Sequence, residues 1–230
     1  MATTRPDVRA DPSGDDEVVV GESRWPMAIA VVAAVVLTEL LPDQLRAGPQ
    51  FLLPVIAGVL LVGVVLGDPG KIDIRSHRLR MLSILLVSIL VVGALWATVQ
   101  LVGDLSHGSE LTDSASKLLE VGFVVWLLNI VSFALLYWEL DGGGAAARAH
   151  RIPTHPDLAF PQQLNPELAP ANWRPRFIDY LYLAFTTATA LSPTDTMPLV
   201  PWSKITMAFQ SAISIVVLGL IVARAVNAFT

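Results

Sequence analysis

Cysteine is absent from the 230-residue chain, and charged side chains are scarce. Without cysteine the chain has no disulfide, no thiolate zinc site, no iron–sulfur cluster and no cysteine nucleophile. Only 15% of its residues are charged, against about 25% in soluble domains, which is too little to cover a water-facing surface. The net charge of −5 also argues against the basic stripe that nucleic-acid binding requires, so we expect no nucleic-acid partner.

The chain has long apolar runs instead. Hydrophobic residues make up 53% of the sequence, and its mean hydropathy is +0.60. The uncharged runs are 47–67, 81–103, 121–138 and 205–223, and a shorter run at 27–41 contains one charge. The hydrocarbon core of a bilayer requires about 20 apolar helical residues. The runs therefore predict an all-α integral membrane protein in a lipid bilayer, with five long helices, four of them within residues 26–140.

The remaining segments are polar or short. The acidic tail 1–25 is predicted to be disordered. Residues 141–176 hold three consecutive glycines and six prolines, which predicts an extramembrane loop that sustains no helix. Residues 177–191 are apolar but make only about 22 Å of helix. We expect a short membrane-embedded helix there, either a half-helix or a thin, tilted span, which forms one unit with the last helix within 177–230.

The distribution of Lys and Arg predicts the orientation. Eleven of them fall in the N-terminal tail, the 68–80 connection and the 139–176 loop, which share one side of the membrane if the first four runs each cross it. The other side then receives only Arg46 and Lys117 from the same part of the chain. Because cytoplasmic segments carry the excess of Lys and Arg, we expect a multi-pass protein of the cell (inner or plasma) membrane with a cytoplasmic N-terminus.

Residues 185–204 read FTTATALSPTDTMPLVPWSK and precede a long uncharged helix. Tetrameric potassium-type channels have a pore helix that ends in Thr-Thr-x-Thr, then a filter, an acid, a proline and the inner helix. The matching positions here are Thr186, Thr187, Thr189, Asp195 and Pro198. Residues 177–229 therefore resemble the pore module of these channels. The resemblance implies a short helix and an irregular segment held within the membrane by neighbouring helices, and a possible homo-oligomer.

The five positions that correspond to the potassium filter depart from its Thr-Val-Gly-Tyr-Gly pattern. They are Ala190, Leu191, Ser192, Pro193 and Thr194. A potassium filter dehydrates the ion with rings of backbone carbonyls, and glycine readily adopts the backbone conformations that aim them. Both filter glycines are replaced, and the proline restricts its own backbone and that of the preceding residue. The pattern argues against a potassium-selective filter.

Other features extend over nearly the whole chain. They are a Leu-Leu-Pro near the hairpin formed by the first two apolar runs, WELDGG at 138–143, the proline-rich loop, YLY at 180–182 and SPTD at 192–195. In these the chain resembles a group of uncharacterised bacterial polytopic membrane proteins. That resemblance implies no activity.

Four acidic residues in or near the apolar segments are candidates for function. Asp195 is placed either to attract cations at a mouth or to accept backbone hydrogen bonds in a turn. Asp179 lies at the start of the short helix, where the helix dipole also stabilises an acidic side chain. Glu39 and Glu120 are intramembrane or interfacial acids, which are functional candidates by default, although both are close enough to a run end to reach the interface.

Uncharged polar residues also occur within the apolar runs or at their ends. The amides are Gln100, Asn129, Gln210 and Asn227. Such side chains commonly form hydrogen bonds between membrane helices, and we expect the same here.

Some segments partly match enzyme motifs, but the neighbouring residues do not complete any of these motifs. Residues 141–148 are similar to the opening of the CDP-alcohol phosphotransferase motif, but the spacing differs by two residues and the metal carboxylates are missing. His150, His155 and Asp157 lie among prolines, which prevent the helical i, i+4 spacing of a strong metal site. The sequence has no H-E-x-x-H, G-x-S-x-G or phosphate-loop motif. We expect no enzymatic activity, no metal and no cofactor.

Two functional hypotheses follow from these observations. The first is a channel-like protein that passes small cations without potassium selectivity, with hydroxyls of the 186–189 threonines along the pathway, 190–194 as the constriction and Asp195 at the mouth. The alternative is a non-conducting structural or regulatory membrane protein, in which the polar loop 141–176 binds a partner.

Overall fold

The computed structural model of the protein describes residues 21–72, 76–107, 115–150, 155–170, 173–189 and 195–228. Within these ranges the chain is mostly helical, which confirms the all-α class. The helices are α1 (Trp25–Glu39), α2 (Leu52–Gly67), α3 (His77–His107), α4 (Ala115–Leu140), α5 (Ala145–His150), α6 (Pro161–Leu164), α7 (Phe177–Thr189) and α8 (Pro201–Ala228). Two antiparallel pairs of two-residue strands accompany them, β1 (Glu22–Ser23) with β2 (Lys71–Ile72) and β3 (Leu158–Ala159) with β4 (Met197–Pro198).

Three helices in the described ranges are long and apolar enough to cross a membrane. These segments are His77–Leu105, Ser116–Gly143 and Pro201–Ala223. α1 and α2 are also apolar but contain only 15 and 16 residues, about 22–24 Å of helix. The prediction of five long helices is therefore wrong in number, because the chain leaves the α-helical conformation between Glu39 and Leu52.

The turn between α1 and α2 explains why both helices are short. A single 3-10 turn, Asp43–Leu45, follows α1, and Gly48 adopts a φ of +106°. Arg46 donates through Nε to the Leu41 carbonyl (2.9 Å) and through Nη2 to the Glu39 carbonyl (2.8 Å). The last carbonyls of a helix have no partner within the helix. Arg46 therefore stabilises the end of α1 at this point.

α4 lies at the centre of the helix bundle. It packs against α1, α3, α7 and α8, while α2 packs on α3 and α1. Within its most apolar 18 residues, 61% are buried, compared with 22% for α8. The outward faces of the other helices are apolar, for example at Val59 and Leu66, which are 67% and 76% exposed. Apolar side chains therefore occupy both the interior and the outer surface of the bundle.

The alternating directions of the helices give the bundle two ends. The proximal end holds both strand pairs; α1, α3, α7 and α8 begin there, and α2 and α4 end there. The distal end holds the turn 43–45, where Gln44 Nε2 donates to Asp104 Oδ2 of α3 (3.2 Å).

The polar segment 141–176 covers part of the proximal end. Its described residues include α5 and α6, so the prediction of a loop without helices is wrong. α5 forms because an alanine-rich stretch follows Gly144, whose φ of +93° ends the preceding turn. The β3 residues are almost completely buried, at 0% and 1% exposure. This part of the loop is therefore packed against the bundle.

A buried ion pair joins the first and second helices at the proximal end. Arg24 Nη2 lies 2.7 Å from Asp68 Oδ2, and both side chains are less than 10% exposed. The backbone N–H of Arg24 also donates to the Gly70 carbonyl (3.0 Å). Removing one member of a buried ion pair leaves the other charge without compensation. The pair therefore fixes the start of α1 against the end of α2.

We predict that Asp68→Ala lowers the free energy of unfolding in detergent micelles by about 3–5 kcal/mol. The double variant Arg24→Met/Asp68→Leu should recover most of this loss, because it removes both charges. As a control, Asp43→Ala removes an exposed acid, paired with Arg46 at 3.0 Å, and should have a much smaller effect. Equal effects of the Asp68 and Asp43 substitutions would contradict the prediction.

Candidate functional site

Both ends of the segment 177–198 lie at the proximal end of the bundle. The buried carboxylate of Asp141 accepts a hydrogen bond from Tyr180 Oη at the start of α7 (2.5 Å) and another from the Leu158 N–H in β3 (3.1 Å). β3 pairs with β4, where Leu158 faces Pro198. The start of α7 and the strand that follows it in the sequence therefore lie at the same end of the bundle.

α7 extends well into the bundle. Phe177 packs on Trp138 and Phe185 packs on Trp126, with ring centroids 6.2 and 6.0 Å apart. The two tryptophans are 12 residues apart on α4, which corresponds to about 18 Å along the helix. α7 therefore runs antiparallel to α4, and its C-terminal end lies at depth in the bundle.

The threonines of α7 do not share one environment. Thr186 Oγ1 donates to the carbonyls of Tyr182 and Leu183 (both 3.0 Å), and Thr189 Oγ1 donates to the Thr186 carbonyl (2.9 Å). Thr187 is 5% exposed, and its hydroxyl has no hydrogen-bond partner within the described ranges. Two of the three predicted pathway hydroxyls are thus bonded to their own helix, and the third faces the interior. The predicted constriction, Ala190, Leu191, Ser192, Pro193 and Thr194, lies outside the described residues.

The acidic candidates lie at opposite ends of the bundle. At the proximal end, Asp195 is exposed, and Asp179 accepts a hydrogen bond from the Arg176 N–H (2.7 Å) in the first turn of α7. At the distal end, Glu120 is exposed on α4, and Glu39 lies 3.9 Å from Arg46 Nη1. The structure does not bring these four carboxylates together.

A buried polar layer connects α4, α7 and α8. Gln210 is completely buried; its Oε1 accepts from Tyr137 Oη (2.7 Å), and its Nε2 donates to Asn129 Oδ1 (3.4 Å) and the Ala184 carbonyl (3.0 Å). One residue further on, Ser211 Oγ donates to the Thr187 carbonyl (3.2 Å). The prediction of hydrogen bonds between helices is confirmed for Asn129 and Gln210.

The same layer contains further buried polar atoms, including those of two serines that the sequence analysis did not select. Asn129 Nδ2, Ser132 Oγ, Thr187 Oγ1 and Ser214 Oγ have no hydrogen-bond partner among the residues that the structure describes. Each lies on a residue of the layer or within about one helical turn of one. Buried polar atoms of this kind commonly bind ordered water. Serines within apolar runs are a weak sequence signal, because they are common in membrane helices.

The start of α7 is held by residues that sequence analysis did not select. Glu22 accepts hydrogen bonds from Trp138 Nε1 (2.9 Å) and from the Phe177 N–H (2.5 Å). Burial raises the pKa of the Glu22 carboxyl above its ordinary value, while these two hydrogen bonds act to lower it. The sequence places Glu22 in a tail predicted to be disordered, but it forms part of β1. That prediction is wrong for residues 21–25, which pack against the bundle.

Arg148 connects the loop to the same cluster. Its Nη1 donates to the carbonyls of Trp138 (2.8 Å) and Asp141 (2.5 Å), and its guanidinium lies 5.1 Å from the centroid of the Tyr180 ring. The side chain is almost fully buried, so both the hydrogen bonds and the cation–π contact act in a low-dielectric environment. Arg148 therefore links α5 to the end of α4 and to the start of α7.

No protein-family model, curated protein or solved structure matches the chain. The two resemblances in the sequence therefore stay predictions.

We predict that Tyr137 and Gln210 are energetically coupled. In a double-mutant cycle of Tyr137→Phe and Gln210→Leu, the coupling free energy should be about 0.6 kcal/mol and at most about 1.7 kcal/mol, the average and the maximum for hydrogen bonds between membrane helices. Unfolding in mixed micelles measures it. Tyr182→Phe in place of Tyr137→Phe serves as the control, since Tyr182 is 59% exposed on α7 and should show no coupling. A coupling of zero for Tyr137 would contradict the prediction.

Proposed function

We propose that the protein is a multi-pass membrane protein of channel-like architecture and that it passes small cations without potassium selectivity. The observation that supports this most is the return of residues 177–198 to the proximal end. A short helix and an irregular segment within a membrane require neighbouring helices that bury their backbone. α4 and α8 are in contact with α7 and provide this shielding.

The charge distribution favours a cytoplasmic proximal end. The described Lys and Arg residues near that end are Arg24, Lys71, Arg78, Arg80, Arg148, Arg174, Arg176 and Lys204. Arg46, Lys117 and Arg224 belong to the distal side. The excess of cationic residues marks the cytoplasmic side, so we infer a cytoplasmic N-terminus. The C-terminal end of α8 is then on the opposite side.

The proposed pathway begins at Asp195 and continues past the C-terminal end of α7. A helix C-terminus carries a partial negative charge, and that of α7 points into the membrane interior, where it favours a cation. The exposed carboxylate of Asp195 raises the local concentration of cations at the mouth. Residues 190–194 contain no glycine, which is consistent with weak selectivity among small cations.

An oligomer would complete the proposed pore. The outward face of α7 carries Ile178, Tyr182 and Phe185, which are 62%, 59% and 45% exposed. They follow an i, i+4, i+7 spacing and form one stripe. We propose that a second copy of the chain packs near this stripe, so that several re-entrant segments meet.

We predict that purified protein in liposomes gives a K⁺ or Na⁺ flux and that Asp195→Asn lowers it about fivefold at low ionic strength. One water-exposed charge supplies about 1 kcal/mol of attraction, which corresponds to that factor. The difference should shrink as salt is added. Flux assays with a cation-sensitive dye measure both effects.

Glu167→Gln is the matched control for this experiment. Glu167 is an exposed acid on the loop, outside residues 177–198, and its substitution should leave the flux unchanged. Monodisperse wild-type protein without any flux would contradict cation transport. An equal loss in both variants would contradict the role of Asp195.

One observation favours the alternative of partner binding. Leu164 and Leu168 on the polar loop are 49% and 81% exposed, although the rest of the described loop is largely packed on the bundle. Exposed apolar residues on an extramembrane segment are typical of a contact surface. If liposomes show no flux, these leucines are the first residues to test for a regulatory role.

A further inference from the structure

A polar cavity of about 360 Å³ opens at the proximal end, apart from the re-entrant segment. It lies between the start of α3, the end of α4 and the start of α5. The polar side chains that line it are Arg24, Asp68, Ser76, His77, Arg80, Ser83 and Glu139. Its size is near the lower limit of ligand sites in proteins, which are about 300–1,000 Å³.

The α3 side of the cavity is suited to an anionic group. Ser76, just before α3, and Arg80 and Ser83 in its first turns are spaced i, i+4 and i+7, so they lie on one face at the start of the helix. The start of this 31-residue helix adds the positive end of its dipole. Hydroxyl and guanidinium donors together are the groups that bind phosphate oxygens in proteins.

An unpaired donor in the same cavity supports an anion site independently. Arg24 is 6% exposed and lines the cavity. Its Nη2 is bound to Asp68, but its Nε has no hydrogen-bond partner within the described ranges. A buried guanidinium N–H without an acceptor is destabilising. A ligand oxygen in the cavity would satisfy it.

The α4 side of the cavity is suited to a cationic group. Glu139 is 5% exposed, and the charges that act on it belong to Arg148, Arg80 and Arg24. The backbone at Gly144, just before α5, approaches it closely, because a Cβ there would lie 3.1 Å from the Glu139 carbonyl oxygen and 3.5 Å from its Oε1. A side chain at position 144 would therefore crowd this carboxylate, which lines the cavity. An ammonium group is the natural partner for it.

We propose that this cavity binds a phosphoethanolamine group. The phosphate would lie against Arg80, Arg24 Nε and the α3 hydroxyls, and the ammonium against Glu139. Among the described residues, the lining contains two arginines and two carboxylates, so a ligand with one charge of each sign keeps their charges balanced. An anion without an ammonium group would face Glu139 at close range, which is unfavourable.

Phosphoethanolamine occurs as the headgroup of a phospholipid and as a soluble phosphomonoester. Both share the recognised chemistry. The test uses full-length protein in detergent, with three probes: dioleoyl phosphatidylethanolamine, dioleoyl phosphatidylglycerol, which lacks the ammonium, and soluble O-phosphoethanolamine. Native mass spectrometry and thermal shift measure binding.

We expect saturable binding of phosphatidylethanolamine in preference to phosphatidylglycerol. Arg80→Gln should weaken it about tenfold, as the loss of a charge-assisted contact predicts, and Glu139→Gln should abolish the preference. Arg78→Gln is the matched control, since this exposed arginine lies on the same helix outside the cavity. Thermal stabilisation by O-phosphoethanolamine would identify a soluble ligand, and its absence with lipid binding intact would identify the headgroup.

Equal binding of both lipids to wild-type protein, or equal effects of Arg80→Gln and Arg78→Gln, would overturn the proposal. If Glu139→Gln does not give a folded protein, Ser83→Ala provides the second variant on the phosphate side. It should lower the affinity for both phosphoethanolamine probes while leaving the fold intact. None of these outcomes depends on whether the protein conducts ions.

Discussion

The carboxylate of Asp141 is the contact on which the architecture of this chain depends. One of its oxygens binds the hydroxyl of Tyr180, and the other binds the backbone of Leu158. Through the pairing of β3 with β4, the second contact also holds the C-terminal end of residues 177–198. A single buried side chain therefore holds both ends of residues 177–198 at one end of the bundle. Arg148 donates to the Asp141 carbonyl beside it, so the neighbouring backbone is also fixed.

The other polar contacts of this bundle, which has few charges, also give buried polar groups a partner inside the protein. Arg46 binds the carbonyls at the end of α1, Arg24 pairs with Asp68, and Gln210 joins three helices. Each polar atom that is removed from water needs a partner inside the protein. Most charged contacts lie at the two ends, while uncharged amides and hydroxyls occupy the middle. This arrangement suits a chain whose outer surface is solvated by lipid, in which a charge near the centre is unfavourable.

Long apolar runs were the most informative part of the sequence. They identify α3, α4 and α8, because an uncharged stretch of about 20 residues has few alternatives to a membrane helix. The short helix α7 (Phe177–Thr189) and the bonds of Asn129 and Gln210 between helices also follow from local composition. The lengths of α1 and α2 could not be predicted from the sequence, because Arg46 sets the end of α1 through contacts that a hydropathy plot does not contain.

The residues that hold α7 could not be found from the sequence alone. Glu22 contacts the N–H of Phe177 across 155 positions, and its acidic surroundings favour a solvated tail. Arg148 lies in an alanine-rich stretch between glycines and prolines, which predicts a surface loop. Both acquire their role only when the end of α4 brings them together. The direction of the threonine hydroxyls is a similar case, because it depends on the carbonyls of the preceding turn of α7.

The proposed re-entrant path of residues 177–198 is tested most directly by the sidedness of introduced cysteines. The chain has no native cysteine, so Arg176→Cys, Met197→Cys and Lys117→Cys each carry one label site, and all three positions are exposed. The account predicts that positions 176 and 197 react with a membrane-impermeant maleimide from the same side of sealed vesicles, and position 117 from the other. Labelling of 176 and 197 from opposite sides would contradict it.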